Sequence, residues 1–291
     1  MDLIYRFDPY APLDFKRPKT NKEALKTLVQ GNQRFASTVE HLQKISEGEK
    51  PESMVFPINP VQLGVPWMGG LEPMHAPFAA VLGCADARVP IEHIFDCSAN
   101  DLFVVRVAGN VLGLECIGSI DYAATALRES LRSVIVLGHT GCGAISAATD
   151  VYLAPSSFAT IAFSHPVRTL IDRIMVSVRS SADALEEVYG SKVSKQKNYR
   201  ELLINASCFV NAAITAYDLQ REVNSVSKGL VVSYSIYDMA WASANATPIR
   251  SKDEAFDRKA FATAPSNPED LQRVSREIAT CLSPASNPKK S

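Results

Sequence analysis

The sequence lacks an excess of charge of either sign. Its 30 Lys and Arg residues are balanced by 31 Asp and Glu residues, which leaves a formal net charge of -1. Proteins that bind nucleic acid usually carry a basic stripe for the phosphate backbone, and none is visible here. The composition therefore predicts that nucleic acid is not a partner.

Long hydrophobic runs are also missing. The longest uncharged stretch, about residues 133–149, is interrupted by three glycines and a histidine, which argues against a membrane span. The first residues carry charges at Asp2, Arg6 and Asp8, and they contain no apolar segment typical of a signal peptide. These features predict a cytoplasmic chain without a membrane partner.

Cysteine is too sparse for a disulfide framework. Six cysteines are spread over 291 residues, and no secretion signal accompanies them. This usage favours reduced thiols, some of them available for metal binding or catalysis. The hydrophobic content of 46% is ample for a large buried core.

The sequence does contain an alternation of short apolar runs and helical patterns. Near-continuous apolar runs predict parallel strands buried on both faces at 78–84, 101–109 and 133–139, and residues 229–241 are predicted to form a further strand. Apolar residues at helical spacing predict helices over 21–37, 117–131, 165–189 and 199–224. We therefore predict an α/β fold, an open and mainly parallel sheet flanked by helices, with an N-terminal helical arm.

The same patterns suggest a division of the chain. We predict one α/β domain over residues 1–244, with the arm at 1–40, and a tail at 245–291 that is surface-wrapped or loosely ordered because it is rich in Ser, Pro, Ala and charge. Residues 38–77, with many prolines, are expected to be loop-rich.

Three potential metal ligands follow the predicted strands. Cys84 ends the first apolar run, and His139 and Cys142 lie at the end of the third. Ligands collect beyond the carboxyl ends of strands in open α/β sheets. Two cysteines and one histidine supply three ligands of a tetrahedral zinc site with an open fourth position. A helix beginning after Cys142 is expected to lower the pKa of that thiol.

These motifs resemble the β-class carbonic anhydrases. The resemblance rests on Cys-x-Asp-x-Arg at 84–88 and His-x-x-Cys-Gly at 139–143, and it extends to the segments 28–36, 101–110 and 118–127. It implies a zinc enzyme that interconverts carbon dioxide and bicarbonate. It also implies an obligate homodimer, or a higher homo-oligomer, in which the arm helices embrace the partner.

Asp86 and Arg88 are the predicted catalytic couple. Zinc held by Cys84, His139 and Cys142 would lower the pKa of a bound water. Asp86 is placed to accept a hydrogen bond from the resulting nucleophile, and Arg88 can hold Asp86 by a charge-assisted pair.

Further residues are predicted to serve substrate and proton transfer. Gly109 and Asn110 are assigned to the substrate pocket, where a glycine lets the backbone pass close to the site. His75 joins them, because it stands where many family members have a glutamine that contacts substrate. His93 is a candidate proton shuttle.

Besides His75, three positions depart from the pattern of the family or of some of its members. Ala87 replaces a usual serine and Val107 a usual asparagine, which affects substrate contacts and rate. Val81 stands where some members have a tryptophan that helps to build a regulatory bicarbonate pocket. Because valine has no indole N–H, we expect that pocket to be absent or weak and the Asp86–Arg88 pair to stay formed.

Two alternatives to carbon dioxide hydration remain open at this stage. The first is hydrolysis of carbonyl sulfide or carbon disulfide, which are linear molecules that resemble carbon dioxide. The second is a weakly active zinc scaffold or sensor that uses residues 38–77 and 245–291 as binding surfaces.

Overall fold

The computed structural model describes residues 3–7, 17–50, 52–57, 60–65, 69–70, 72–249, 254 and 259–283. Its strands are β1 Leu3–Arg6, β2 Met54–Pro57, β3 Ala79–Gly83, β4 Leu102–Arg106, β5 Ser133–His139, β6 Val232–Asp238, β7 Ser243–Asn245 and β8 Ala262–Thr263. Its α-helices are α1 Asn21–Ser46, α2 Ile91–Ile94, α3 Leu114–Ala126, α4 Gly143–Leu153, α5 Phe158–Ile161, α6 His165–Tyr189, α7 Tyr199–Val226 and α8 Pro268–Cys281.

A six-stranded sheet organises the described residues. Its order is β4-β3-β5-β6-β7, and β8 pairs with β6. Strands β4, β3, β5 and β6 run parallel, whereas β7 and β8 are antiparallel to β6. This arrangement confirms the predicted α/β class with an open, mainly parallel sheet.

Alternation along the central strands separates two layers of core. On β5, Val134 and Val136 face one cluster with α4, α6, α7 and α8, and Ile135 and Leu137 face a second cluster with α1 and α2. All residues of β3 and β5 are buried. Because both faces are covered, these strands appear in the sequence as continuous apolar runs.

Helix α1 is longer than the sequence analysis predicted. Thr20 caps its N-terminus by accepting a hydrogen bond from the Glu23 N–H, and the helix continues to Ser46 instead of ending at residue 37. The prediction of loop from residue 38 was wrong over 38–46, since neither proline nor glycine interrupts the chain there and the next glycine is Gly48.

The arm packs on its own chain. Leu28 is fully buried, and the Asn32 side chain donates to the carbonyls of Ile94 and Ala242 and accepts from the Ala244 N–H. At Gly31 an added Cβ would lie 1.8 Å from the Phe95 carbonyl oxygen, so the absence of a side chain allows this close approach. The apolar stripe of α1 (Leu25, Leu28, Val29 and Phe35) packs in the second core cluster of its own chain, so the expectation that the arm buries this stripe against a partner was wrong.

The tail contains a docked helix. Helix α8 buries Val274 and Ile278, and the Tyr189 hydroxyl on α6 donates to the Ala279 carbonyl. Parts of the tail, including 284–291, and parts of 38–77 lie outside the described residues. The division at residue 244 stays a prediction.

One helix is long and apolar enough to cross a membrane by composition alone. It is α7, and 78% of its most apolar window is buried inside the protein. In this structure α7 contacts α6, β5 and β6, which is the environment of a core helix.

Candidate metal centre

Two parallel strands bring three ligand side chains to one edge of the sheet. Cys84 follows β3 directly, and His139 is the last residue of β5. These strands are neighbours in register, with Gly83 opposite Leu137. Gly141, with φ of +66°, makes the turn that places Cys142 at the start of α4. The ligand atoms of Cys84, His139 and Cys142 all lie within 4.8 Å of one another and are buried. We call these three residues the trio.

The spacing of the two sulfurs fits a shared zinc ion. The Sγ atoms of Cys84 and Cys142 are 4.0 Å apart. Two sulfurs bound to one tetrahedral zinc at about 2.3 Å lie about 3.8 Å apart. A small movement of the two sulfurs toward each other would bring both thiols to the separation expected of zinc ligands.

The imidazole of His139 is oriented for coordination. Its Nδ1 atom lies 3.0 Å from the Thr140 carbonyl oxygen. Because a carbonyl only accepts, Nδ1 carries the proton and Nε2 presents its lone pair. Nε2 is buried and has no hydrogen-bond partner among the described residues. A buried acceptor without a donor, facing two thiols, is what a metal ion would satisfy.

The two thiols of the trio oppose each other's ionisation. A hydrogen bond from Cys142 lowers the pKa of Cys84 to about 4. The same hydrogen bond, together with burial, raises the pKa of Cys142, because a second charge would sit beside the first. The expected lowering by the start of α4 is present, because the Ile145 N–H acts to lower the Cys142 pKa, but the hydrogen bond with Cys84 and burial outweigh it. A divalent cation would offset the repulsion between the two negative charges, since it binds both sulfurs as thiolates.

A charged pair adjoins the trio. Asp86 accepts two hydrogen bonds from the Arg88 side chain, at 3.0 Å from Nε and 2.7 Å from Nη2, and a third from the Arg88 backbone N–H at 2.9 Å. These bonds hold the pKa of the Asp86 carboxyl well below its usual range. The other neighbour of this carboxylate is His139, with Nε2 3.8 Å from Oδ2. The site thus has a fixed negative charge next to the trio.

Arg106 is a site residue that the sequence analysis missed. Its Nε donates to the Cys84 carbonyl at 3.1 Å and its Nη2 donates to the Asp86 carbonyl at 2.6 Å. Arg106 ends β4 and lies opposite Gly83 in the sheet register. The side chain therefore holds the backbone that carries both the first thiol and the carboxylate. Its position at a strand end was the signal available in the sequence.

Gly109 lies against the trio, and Asn110 follows it in the chain. The Gly109 N–H donates to Cys84 Sγ at 3.4 Å, and the φ angles of Gly109 and Asn110 are +67° and +45°. An added Cβ at Gly109 would lie 2.8 Å from Ile174 and 3.1 Å from Ala144. Asn110 is buried, and its Nδ2 has no partner among the described residues.

The two remaining histidines of the sequence analysis lie elsewhere. The His75 ring stacks on Phe103, the second residue of β4, at 6.0 Å, whereas the trio follows the strand ends. His93 is exposed on α2. Their assignments to substrate binding and proton transfer stay predictions.

The known proteins that this chain resembles in sequence are carbonic anhydrases. A sequence model of the carbonic anhydrase family matches residues 79–239. Carbonic anhydrase 2 of Mycobacterium tuberculosis is 35% identical over 170 residues, which cover 55% of this chain and 66% of that protein. The carbonic anhydrase of Mycolicibacterium smegmatis is 39% identical over 125 residues, which cover 42% of this chain and 55% of that protein. The chain thus spans just under two thirds of the first relative and about half of the second.

Among solved structures, a tetrameric β-carbonic anhydrase from Sordaria macrospora is similar to this chain. It has 18% identity and a TM-score of 0.44, and the match covers 59% of this chain and 81% of the other.

Proposed function

Because the chain belongs to the β-class carbonic anhydrase family, we propose that it catalyses the reversible hydration of carbon dioxide to bicarbonate and a proton. One observation supports this most strongly. Two thiols and an imidazole nitrogen without a partner converge within 4.8 Å beside a charged Asp–Arg pair.

Cys84, His139 and Cys142 would hold a zinc ion. Zinc in such a site lowers the pKa of a bound water, so that a nucleophile is available near neutral pH. Three protein ligands leave one position for that water, which is the arrangement of a catalytic site rather than a structural one.

The chain's own residues would manage the proton and the charge. Asp86 offers a hydrogen-bond acceptor next to the trio, and its depressed pKa keeps it ionised. Arg88 holds this carboxylate by two side-chain hydrogen bonds and Arg106 holds its backbone carbonyl. We assign orientation of the nucleophile to Asp86 and positioning of Asp86 to the two arginines. His93, exposed near this loop in sequence, is proposed as the group that passes the proton to solvent.

The substrate would approach beside Gly109 and Asn110. The support is that the Gly109 N–H contacts Cys84 and that the buried Asn110 amide keeps a free donor among the described residues. His75 is proposed as a further substrate contact, without a supporting contact to the trio in this chain.

We further propose that the chain forms a homodimer or a higher homo-oligomer. Strand β4 is the edge of the sheet in the described residues, so its outer backbone groups face no strand. Beside it, Met74 is 83% exposed, His75 stacks on Phe103, and Phe103 contacts Tyr122. An edge strand flanked by exposed apolar and aromatic groups is suited to a second copy of the same chain. A cytoplasmic location stays a prediction.

Stopped-flow measurement of carbon dioxide hydration by the purified zinc-loaded protein tests the proposed reaction. We expect rapid hydration, a loss of rate in Asp86→Ala with zinc retained, and no loss in Glu92→Ala, an exposed carboxylate on α2. Carbonyl sulfide and carbon disulfide are assayed in parallel. Faster turnover of either compound than of carbon dioxide would reassign the substrate, and zinc binding without turnover of any of the three would support the scaffold alternative.

A further inference from the structure

Gly109 connects the trio to helix α7. Its N–H donates to Cys84 Sγ at 3.4 Å, and its carbonyl oxygen accepts from Asn211 Nδ2 at 2.9 Å. Both hydrogen bonds are buried. The two backbone groups belong to one residue, so a rotation that moved the carbonyl away from Asn211 would also turn the N–H relative to the sulfur.

The Asn211 amide has a defined orientation. The Ser177 hydroxyl on α6 donates to Asn211 Oδ1 at 3.1 Å, which leaves Nδ2 as the group that faces Gly109. A flipped amide would place Oδ1 against the Gly109 carbonyl, so that two acceptors would face each other, and this carbonyl therefore fixes the amide orientation. Asn211 is 3% exposed and Ser177 is 1% exposed, so both hydrogen bonds are largely shielded from solvent.

The backbone at Gly109 depends on this support. Its φ of +67° is in the left-handed region, and the Ile174 and Ala144 side chains approach the space where a Cβ would be. These contacts restrict the residue sterically but supply no hydrogen-bond donor for its carbonyl. Asn211 supplies it.

We propose that Asn211 is a positioning residue for the metal centre, because it holds Gly109 so that the Gly109 N–H stays on the Cys84 sulfur. The inference rests on the proposed function, in which Cys84 is a metal ligand. An N–H donor on a thiolate withdraws electron density from the sulfur and fixes its direction. Hydrogen-bonding partners of metal ligands typically contribute about 10- to 100-fold in metal affinity or activity.

The test uses the full chain loaded with cobalt(II), whose thiolate charge-transfer absorption reports on the metal–sulfur bonds. Asn211→Ala is compared with the wild type and with Asn205→Ala, which removes an exposed asparagine from the same helix. We expect the Asn205→Ala protein to match the wild type. We expect the Asn211→Ala protein to show a shifted charge-transfer band and about tenfold faster release of cobalt to a chelator.

Ser177→Ala keeps the test informative if Asn211→Ala fails to fold. It retains the Asn211 amide but removes one of the two hydrogen bonds that hold it, so we expect a band shift and a release rate between those of wild type and Asn211→Ala. Circular dichroism melts identify the folded variants. Wild-type spectra and release rates in folded Asn211→Ala, or in Ser177→Ala if Asn211→Ala does not fold, would overturn the inference while leaving the proposed function standing. A wild-type protein without thiolate–cobalt bands would instead overturn the proposed function, and the inference with it.

Discussion

The Nε2 atom of His139 lies 3.8 Å from the Oδ2 atom of Asp86, yet this carboxylate makes its hydrogen bonds with Arg88. Arg88, which is not one of the trio, therefore holds the carboxylate in place beside the trio. The lone pair of His139 Nε2 remains free to bind a metal. Movement of Asp86 onto a metal would first have to break both side-chain hydrogen bonds with Arg88. Val81, fully buried in β3, supplies no side-chain donor that would favour that change.

Removal of Arg88 is expected to change how stability depends on pH. In the wild type the folded-state pKa of Asp86 lies below its ordinary value of 3.8, and the hydrogen bonds from Arg88 are the main cause. The pair therefore stabilises the folded state above pH 3.8, and this contribution is lost as the pH falls toward the folded-state pKa. We expect zinc-free Arg88→Ala to unfold at lower urea concentration than the wild type at pH 7, with a small difference that narrows below pH 3.8.

Arg128→Ala is the control for this comparison, since Arg128 is exposed and has no ion pair among the described residues. The difference in urea midpoint between Arg128→Ala and the wild type is expected to be the same at every pH. If the difference for Arg88→Ala were also independent of pH, Arg88 would not be the residue that lowers the Asp86 pKa.

Substitution of one thiol of the trio is expected to abolish zinc binding. Cys142→Ser leaves Cys84 and His139 with a hydroxyl that does not ionise near neutral pH, so the protein should be purified with little zinc. Metal analysis per chain provides the measurement. Cys97→Ser, which changes a thiol that donates to the Phe95 carbonyl, should retain the wild-type zinc content. Full zinc occupancy in Cys142→Ser would remove Cys142 from the ligand set.

Adding one methyl group to α1, by the substitution Gly31→Ala, is expected to push α1 away from α2 and to destabilise the protein. In Gly31→Ala the new Cβ would lie 1.8 Å from the Phe95 carbonyl oxygen, so the helix has to move. Overpacking of this kind costs about 1–3 kcal/mol in free energy of unfolding. Gly118→Ala on α3 is the matched control, because nothing lies within 4 Å of its Cβ position. There the better helix propensity of alanine should leave stability unchanged or raise it by up to about 1 kcal/mol. Equal thermal unfolding midpoints for Gly31→Ala and Gly118→Ala would show that α1 does not pack against Phe95 as described.

The central strands could be predicted from the sequence because a strand that is buried on both faces appears as a continuous run of apolar residues. The runs at 78–84 and 133–139 contain β3 and β5, and the ligands at their ends were predicted to meet at one sheet edge. The trio does meet there. Helix α6 was predicted with its observed bounds, since Ser164 and Gly190 flank a strong helical pattern.

Other features depend on contacts that the sequence does not encode locally. Asn211 and Gly109 are 102 residues apart, and only the packing of α7 against the sheet edge brings them together. The arm was assigned to a partner by the family resemblance, and the sequence could not correct this because an apolar stripe has the same pattern whichever surface covers it. The opposing pKa shifts of Cys84 and Cys142 follow from a distance of 4.0 Å, which strand and helix predictions do not provide.

Self-association is expected in solution. Multi-angle light scattering at low micromolar concentration should give a mass of at least two chains, because the β4 edge and its exposed apolar neighbours would be covered by a second copy. Met74→Lys places a charge on this surface and should shift the protein toward the 31.7 kDa monomer. Leu42→Lys, at an exposed position of α1, serves as the control. A folded wild-type monomer at this concentration would contradict the proposed assembly.

We propose that the trio holds the zinc on which carbon dioxide hydration depends. A titration of the metal-free protein with zinc, in which hydration is followed by stopped flow after each addition, tests this dependence. We predict that the rate rises in proportion to added zinc and stops rising at one zinc per chain. Hydration that remains at the uncatalysed rate after one zinc per chain has bound would contradict the account.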